Sequence, residues 1–461
     1  MCKMAHFGNC DPETADQEYC IFHKPNKSEE EAREFYRKFL ERFKPRVEEI
    51  EVGGRKIKRL VFEDYVECMG YVFPRPAGEY SDLFFQFSVF KKGVNFENSI
   101  FKWRISFRNS EFYDSPHFPE STLDRSVKFP TIKEFIRYLK QHSQDKFAIL
   151  DDLMVPGVTF RNAIFEDGAY FYGTIFHCNV SFDNVLFNSK SKSYAPYWAD
   201  INPFFATTVF DGSVSFVNSR FENSNFHLLS GVFRGSLILS NSIFQGKLLF
   251  VWPDFIDELE DLMSQYGDFM FHRYLDFLNV ILYGGIEIGF DSSLFKLPEA
   301  EIEARRVQRL GYEKEDRHDE ADRMFVLEMR AKRRARLKNA RGKLSKVKAY
   351  GHNFVEWLLA DLPSEYGTNW VRLFLFSLLV IIGNAVPYTI WSHKIDGFPE
   401  TSNIVVRFAN ALYYSIVTFT TLGYGDMHPT GWLKALSAIE ALTGAVFMAL
   451  IVAVIARKWM R

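Results

Sequence analysis

Two groups of residues in this chain have types and spacings suited to chemistry. The first is the run TTLGYGD at 420–426. A dehydrated cation needs a dense cage of oxygens, and an extended strand with its backbone carbonyls turned one way supplies it. Such a strand alternates ordinary and left-handed backbone angles, which L-residues resist and glycine accepts. Gly423 and Gly425 stand where that alternation needs them. The carbonyls of Thr421, Leu422, Gly423 and Tyr424, with the Thr421 hydroxyl, would stack as oxygen rings once several copies of the chain surround one axis. One copy is a single wall, so the run implies an oligomer. Thr420 would support the inner end. Asp426 is expected to bond a tyrosine such as Tyr413 or Tyr414 and brace the outer end, the alternative being a solvated aspartate.

The second group is Cys2, Cys10, Cys20 and His23, within MCKMAHFGNC and EYCIFHKP. Three of the five cysteines fall here, and in a reducing cytosol they would not form disulfides. Three thiolates and an imidazole suit tetrahedral zinc. The spacing is looser than a zinc finger's, although CIFH leaves a short gap between the last two ligands. Reduced, uncoordinated thiols are the alternative, and His6 is a rival ligand. Cys68 and Cys178 stand alone and read as core residues. No nucleophile-base pair or carboxylate dyad stands out, so no catalytic residue is assigned. The HDE triplet at 318–320 reads as a solvated helix face.

The elements that position the first group flank it. Segments 370–391 and 432–456 are apolar and long enough, at about 1.5 Å per residue, to cross about 30 Å of hydrocarbon. Each carries tryptophan near an end, where an amphipathic ring suits the membrane interface. Between them, 404–419 (IVVRFANALYYSIVTF) is apolar but too close to the run to span, and reads as a re-entrant helix aiming its negative end inward. In this setting TTLGYGD resembles the selectivity filter of potassium channels, with Leu422 where valine is commoner. The resemblance covers the last hundred or so residues. It implies a two-span homotetramer in membrane lipid, with potassium ions in the filter. Gly444 lies at about the depth where related channels place a hinge glycine; the alternative is that it only allows close helix packing. Glu440, one turn earlier, is costly in a membrane and should face protein or water behind the filter. HNFVEWLLADL at 352–362 looks like the interfacial helix before the first span of some two-span channels.

Phenylalanine, 48 in all, carries a second pattern. Gaps of five and six alternate through Phe96, Phe101, Phe107 and Phe112, then Phe160, Phe165, Phe171, Phe176, Phe182 and Phe187. They return at Phe205, Phe210, Phe216 and Phe221, run through Phe233, Leu239, Phe244 and Phe250, and fade at Phe290 and Phe295. Two positions before many of these stands a small or β-branched residue, such as Val94, Ser99, Val158, Ala163, Val214, Ser219 or Ser242. Neither helix nor plain strand explains this beat, whereas a fixed short period fits a solenoid. The pattern resembles the pentapeptide-repeat family, which implies a right-handed β-solenoid with equivalent phenylalanines stacked about 4.8 Å apart. A β-sandwich with accidental spacing is the alternative. Segment 131–142, after Pro130, reads as an inserted helix, and 252–272 as a second insertion.

These signatures divide the chain into a zinc-binding N-terminal segment at 1–27, a helical cap region at 28–82, the solenoid at 83–297, a charged helical linker at 298–350 and the pore at 351–461. Ser28 and Glu31 form a capping box opening an amphipathic helix to about Phe43. The linker should turn near Gly311 or Arg317, and its basic run (Lys332 to Lys348) either touches anionic lipid or is solvated. The fold class is therefore mixed, a β-solenoid joined through helices to an α-helical pore. A net charge of -2 excludes a global electrostatic case for nucleic acid and for duplex mimicry by an acidic face. The N-terminus lacks the apolar core of a signal peptide, and Arg457, Lys458 and Arg461 follow the second span. Both termini and the repeat domain are thus expected in the cytoplasm, with the pore in the plasma membrane. No arginine-rich voltage-sensing helix precedes the first span and no GxGxxG appears, so a ligand or partner on the solenoid is expected to gate the pore. Two other readings are a scaffold that localises an open or non-selective pore, and a membrane-anchored interaction protein.

Overall fold

The computed structural model describes residues 1–52, 54–80, 85–113, 157–188, 205, 207–222, 226–227, 231–250, 270–289 and 291–459. The helix expected at 131–142 and most of the insertion at 252–272 lie outside them. The chain divides into two compact units, Met1–Asp316 and Arg317–Arg461.

Apart from one antiparallel hairpin near its start, the first unit is built from strands of two or three residues that pair in parallel, in three seven-stranded sheets and smaller ones. Beyond that hairpin, consecutive strands along the chain enter different sheets, so each pairs with a strand from an earlier or later repeat. Ile164–Phe165 pairs with Ile100–Phe101 on one side and with Leu186–Phe187 on the other. Parallel pairing in register sets like on like. Phe73, Phe101, Phe165, Phe187, Phe221 and Phe244 accordingly form a column with ring centroids 4.4–4.9 Å apart. Phe96, Phe160, Phe182 and Phe216 make a second column at 4.7–5.0 Å. Rings of different columns meet edge to face, as Phe171 and Phe182 do at 5.6 Å, the arrangement a quadrupole prefers. This is not the antiparallel pairing of a β-sandwich.

The small residues of the repeat fill a polar need as well as a steric one. Ser99 donates to the Cys68 carbonyl at 2.8 Å and Ser219 to that of Phe182 at 2.5 Å, and Ser242 does the same at Phe216. These carbonyls thereby gain a side-chain donor, which at Cys68 and Phe216 adds to the backbone N–H of Tyr71 and Ser219. Asn98, Asn109, Asn162, Asn184, Asn218, Asn241 and Asn279 take left-handed angles, φ 53–58°, a region asparagine tolerates better than most residues. The phenylalanine beat alone did not reveal this asparagine series.

Helix α1 (Glu29–Phe43) opens on the expected capping box, in which the Ser28 side chain accepts from Glu31 N–H and the Glu31 carboxylate accepts from Ser28 N–H. Its Phe35 and Phe39 lie edge-on to Phe73 at 5.3 and 6.1 Å. Lys38, 6% exposed, bonds Asp11 at 2.7 Å and Glu13 at 2.8 Å, tying the N-terminal segment to α1. An antiparallel hairpin, Arg46–Val52 with Arg55–Phe62, follows α1; it was not singled out from the sequence. Helix α2 (Pro298–Lys314) runs through Gly311, which sits against Ile286, and the chain turns at 315–317 instead.

The second unit contains α3 (His318–Asn339), α4 (Lys343–Glu356), a π turn at Trp357–Asp361, α5 (Trp370–Ile390), α6 (Ile404–Phe419) and α7 (Leu433–Trp459). The short helix expected at 352–362 is thus part of a longer run that begins at Lys343. Helices α5 and α7 are long and apolar enough to cross a membrane, and α6 is shorter. Asn369 caps α5 through Arg372 N–H at 3.0 Å, and Asn403 caps α6 through Val405 N–H at 2.9 Å.

The columns make Phe182 a sensitive position, since it is fully buried between Phe160 and Phe216. Phe182→Ala is expected to cost about 3–5 kcal/mol, read as an earlier thermal transition of the full-length protein. The exposed Tyr283→Ala should stay within about 0.5 kcal/mol.

Candidate functional site

The run 420–426 starts from the C-terminal end of α6, and the last turn of that helix fixes its direction. Thr420 N–H donates to the Ile416 carbonyl at 2.9 Å, Thr421 N–H to that of Thr418 at 3.1 Å and Leu422 N–H to that of Val417 at 3.0 Å. From there left-handed angles recur at every second residue: Thr421 at φ 55°, Gly423 at 57° and Gly425 at 75°. The glycine positions are those the sequence pointed to. Thr421 is not, because an L-residue there costs about 1–2 kcal/mol; its N–H is held by the Thr418 carbonyl. The Thr420 hydroxyl turns back to the Ile416 carbonyl at 2.6 Å. Leu422 and Tyr424 are 57% and 67% exposed on the single chain.

At the outer end Tyr413 donates its hydroxyl to Asp426 at 3.0 Å. Tyr414, one residue on and so rotated about 100° around the helix, meets Ser437 at 2.9 Å and packs edge-on to Tyr388. Only Tyr413 of the two candidates reaches Asp426. A second brace had no sequence signal. Ile395–Asp396 pairs antiparallel with His428–Pro429, and Gly397, at φ 81°, lies so close to the Asp426 carbonyl that a Cβ would stand 2.1 Å from its oxygen.

At the inner end α7 packs onto α6 through Gly444. A Cβ there would stand 1.8 Å from the Phe419 carbonyl oxygen, so the close approach requires glycine whether or not the helix also bends there. Glu440, one turn earlier, is 1% exposed and lies among α5, α6 and α7.

Helix α3 pairs with the chain entering α5 and with the end of α7, which meet where Arg457 donates to the Gly367 carbonyl at 2.7 Å. Arg330 and Arg333 bond Asp361 at 2.8 and 2.9 Å, and Arg336 bonds Glu356 at 2.7 Å, all just before α5. Asp322 and Asp319 meet Arg457 at 3.5 Å and Lys458 at 3.1 Å, at the end of α7. Burial alone would raise the Asp361 carboxyl, but the two guanidiniums outweigh it and hold it below the usual range. Part of the basic run is therefore committed to ion pairs. Lys343, Lys346 and Lys348 are exposed on α4, beside an exposed stripe of Leu344, Val347, Tyr350 and Phe354.

In the N-terminal segment, the Sγ atoms of Cys2, Cys10 and Cys20 stand 3.9, 3.7 and 3.0 Å from His23 Nδ1. All four donor atoms lie within 4.8 Å of one another. Ligands about 2.0–2.3 Å from a tetrahedral ion are spaced in this way, so the residues fit a metal. His6 is not in the cluster. Burial pushes the Cys10 thiol up to about 12 and holds His23 down to about 4; a bound cation would reverse the thiol's shift.

Residues 374–461 match the profile of the ion channel family. The C-terminal segment belongs to the ion channel pore family. That pore is 35% identical over 82 residues to two-pore potassium channel 4 of Arabidopsis thaliana, covering 18% of this chain and 28% of that protein. It is 43% identical over 44 residues to potassium channel AKT2/3 of the same plant, covering 10% of this chain and 5% of that one. The chain thus spans under a third of either relative. No solved structure matches the chain. The pore's family is one of channels, not of enzymes.

Gly444→Ala is expected to push α7 off α6 at a cost of about 1–3 kcal/mol, lowering both the thermal stability of the purified channel and its ion flux. Unchanged stability with an altered open probability would instead favour a hinge at Gly444.

Proposed function

We propose that four copies of this chain form a potassium-selective channel in the plasma membrane, gated by the N-terminal unit. The observation that carries the reading is the alternation of left-handed residues at 421, 423 and 425 between two helices long enough to span. Such a backbone would turn successive carbonyls the same way, which suits a dehydrated potassium ion. The carbonyls of Thr421, Leu422, Gly423, Tyr424 and Gly425 would line the filter, with Thr420, Tyr413 and Asp426 supporting it. The exposure of Leu422 and Tyr424 on one chain favours neighbouring copies as their cover.

The N-terminal unit is proposed to be a pentapeptide-repeat-like solenoid in the cytoplasm. Its interior is filled by phenylalanine columns, so it would act through its surface, binding a ligand or protein partner. Helix α3, which pairs with residues at the start of α5 and at the end of α7, would carry that signal to the pore. The stripe and lysines of α4 suit the lipid interface. Cys2, Cys10, Cys20 and His23 would hold a structural zinc that, with Lys38, fixes the N-terminal segment on α1.

Two experiments test this. Potassium flux into proteoliposomes should fall at least about tenfold in Gly423→Ala, since about 1–2 kcal/mol of left-handed strain enters at every copy. Undiminished flux, or a purified protein that is monomeric, would overturn the channel reading. The purified protein should also carry one zinc per chain, lost in Cys20→Ser and kept in Cys68→Ser. Equal zinc in the two variants would overturn the zinc site.

A further inference from the structure

Glu440 sits inside the pore module, and its surroundings define its chemical state. Its Oε2 accepts from the Tyr388 hydroxyl on α5 at 2.7 Å. Its Oε1 is in hydrogen-bond contact with the Ser415 hydroxyl on α6. Ser415 in turn donates to the Ile381 carbonyl on α5 at 2.8 Å. On the other side Tyr388 and Ser437 are 3.1 Å apart, and Ser437 and Tyr414 are 2.9 Å apart.

The hydrogens can be counted. Ser415 has one hydroxyl hydrogen and two neighbouring oxygens, and since a carbonyl only accepts, both contacts are hydrogen bonds only if that hydrogen goes to Ile381. The hydrogen between Ser415 and Glu440 must then come from Glu440. The hydrogen of Tyr388 goes to Oε2, so Ser437 donates to Tyr388 and Tyr414 donates to Ser437. The order closes without conflict from Tyr414 through Ser437, Tyr388, Glu440 and Ser415 to the Ile381 carbonyl, each group donating once. An ionised carboxylate is acceptor-only and would leave two oxygens in contact with no hydrogen between them. It would also place an uncompensated charge within the apolar layer.

We propose that Glu440 is a neutral carboxylic acid whose place in this one-way chain positions α6 and, through it, the filter. Ser415 lies little more than one turn before Thr420, where the filter leaves α6, so a shift at Ser415 is passed to the carbonyl rings. Glu440 is a positioning residue; it touches no ion. The filter part of the inference rests on the channel reading, whereas the protonation state does not.

Glutamine discriminates the two states of Glu440, because its Oε1 can accept from Tyr388 and its Nε2–H can donate to Ser415, as the neutral acid does. In liposomes, the full-length Glu440→Gln protein should keep the potassium-to-sodium permeability ratio within about twofold of wild type. Glu440→Ala and Ser415→Ala should lower it about tenfold or more. The infrared difference between wild type and Glu440→Gln should show the carbonyl band of a protonated carboxyl group. Absence of that band, or a Glu440→Gln channel as impaired as Glu440→Ala, would overturn the neutral acid. Wild-type selectivity in Ser415→Ala would overturn the positioning role, and this small change decides the matter if Glu440→Ala does not fold. A wild-type protein that fails to discriminate potassium from sodium would instead refute the potassium-selective reading, leaving the infrared band to decide the protonation state.

Discussion

A strand whose carbonyls all face one way cannot hold itself in place. It forgoes the pairing of a sheet and the internal bonds of a helix, and it requires left-handed angles at alternate residues. In this chain those angles fall at 421, 423 and 425, and only two of the three are glycine. The rest of the second unit can be understood as the support this strand needs. The last turn of α6 holds its first amides, Tyr413 holds Asp426, and the antiparallel pair with Gly397 closes on the outer end. Gly444 lets α7 approach until its backbone meets the Phe419 carbonyl. Each of these contacts lies within a few residues of the strand.

The first unit meets a related problem with opposite chemistry. Strands of two residues bury little by themselves, so they gain stability from repetition, with rings stacked in columns and side-chain hydroxyls capping buried carbonyls. Left-handed residues are again needed, and here asparagine shares the task with glycine. At its beginning, the Cys and His cluster and the Lys38 ion pairs hold an N-terminal segment that has little apolar core of its own.

What could be read from the sequence followed the range of the interactions. The glycine pattern, the apolar lengths of α5 and α7, the α6 segment and the Ser28 capping box depend on neighbours a few residues apart, and each has a local cause. The phenylalanine beat was legible because register repeats it. Thr421 was not, since its local preference argues against the angle that its position imposes. Gly397 looked like an ordinary loop glycine until the Asp426 carbonyl stood beside it. The two tyrosines at 413 and 414 were interchangeable in sequence and are separated by helix rotation. The cost of Glu440 in a membrane pointed to a site among protein or water, but its partners Tyr388 and Ser415 lie 52 and 25 residues away. The ion pairs of α3 also join residues far apart in sequence, and there a basic run looked like a lipid contact or a solvated face.

The central claim is that residues 420–426 conduct potassium in preference to sodium. The most direct measurement is the reversal potential of the purified, reconstituted protein under opposing potassium and sodium gradients. A reversal close to the potassium equilibrium potential is the result this account requires. A current reversing near zero would contradict it, because oxygen rings built on this backbone should separate the two ions.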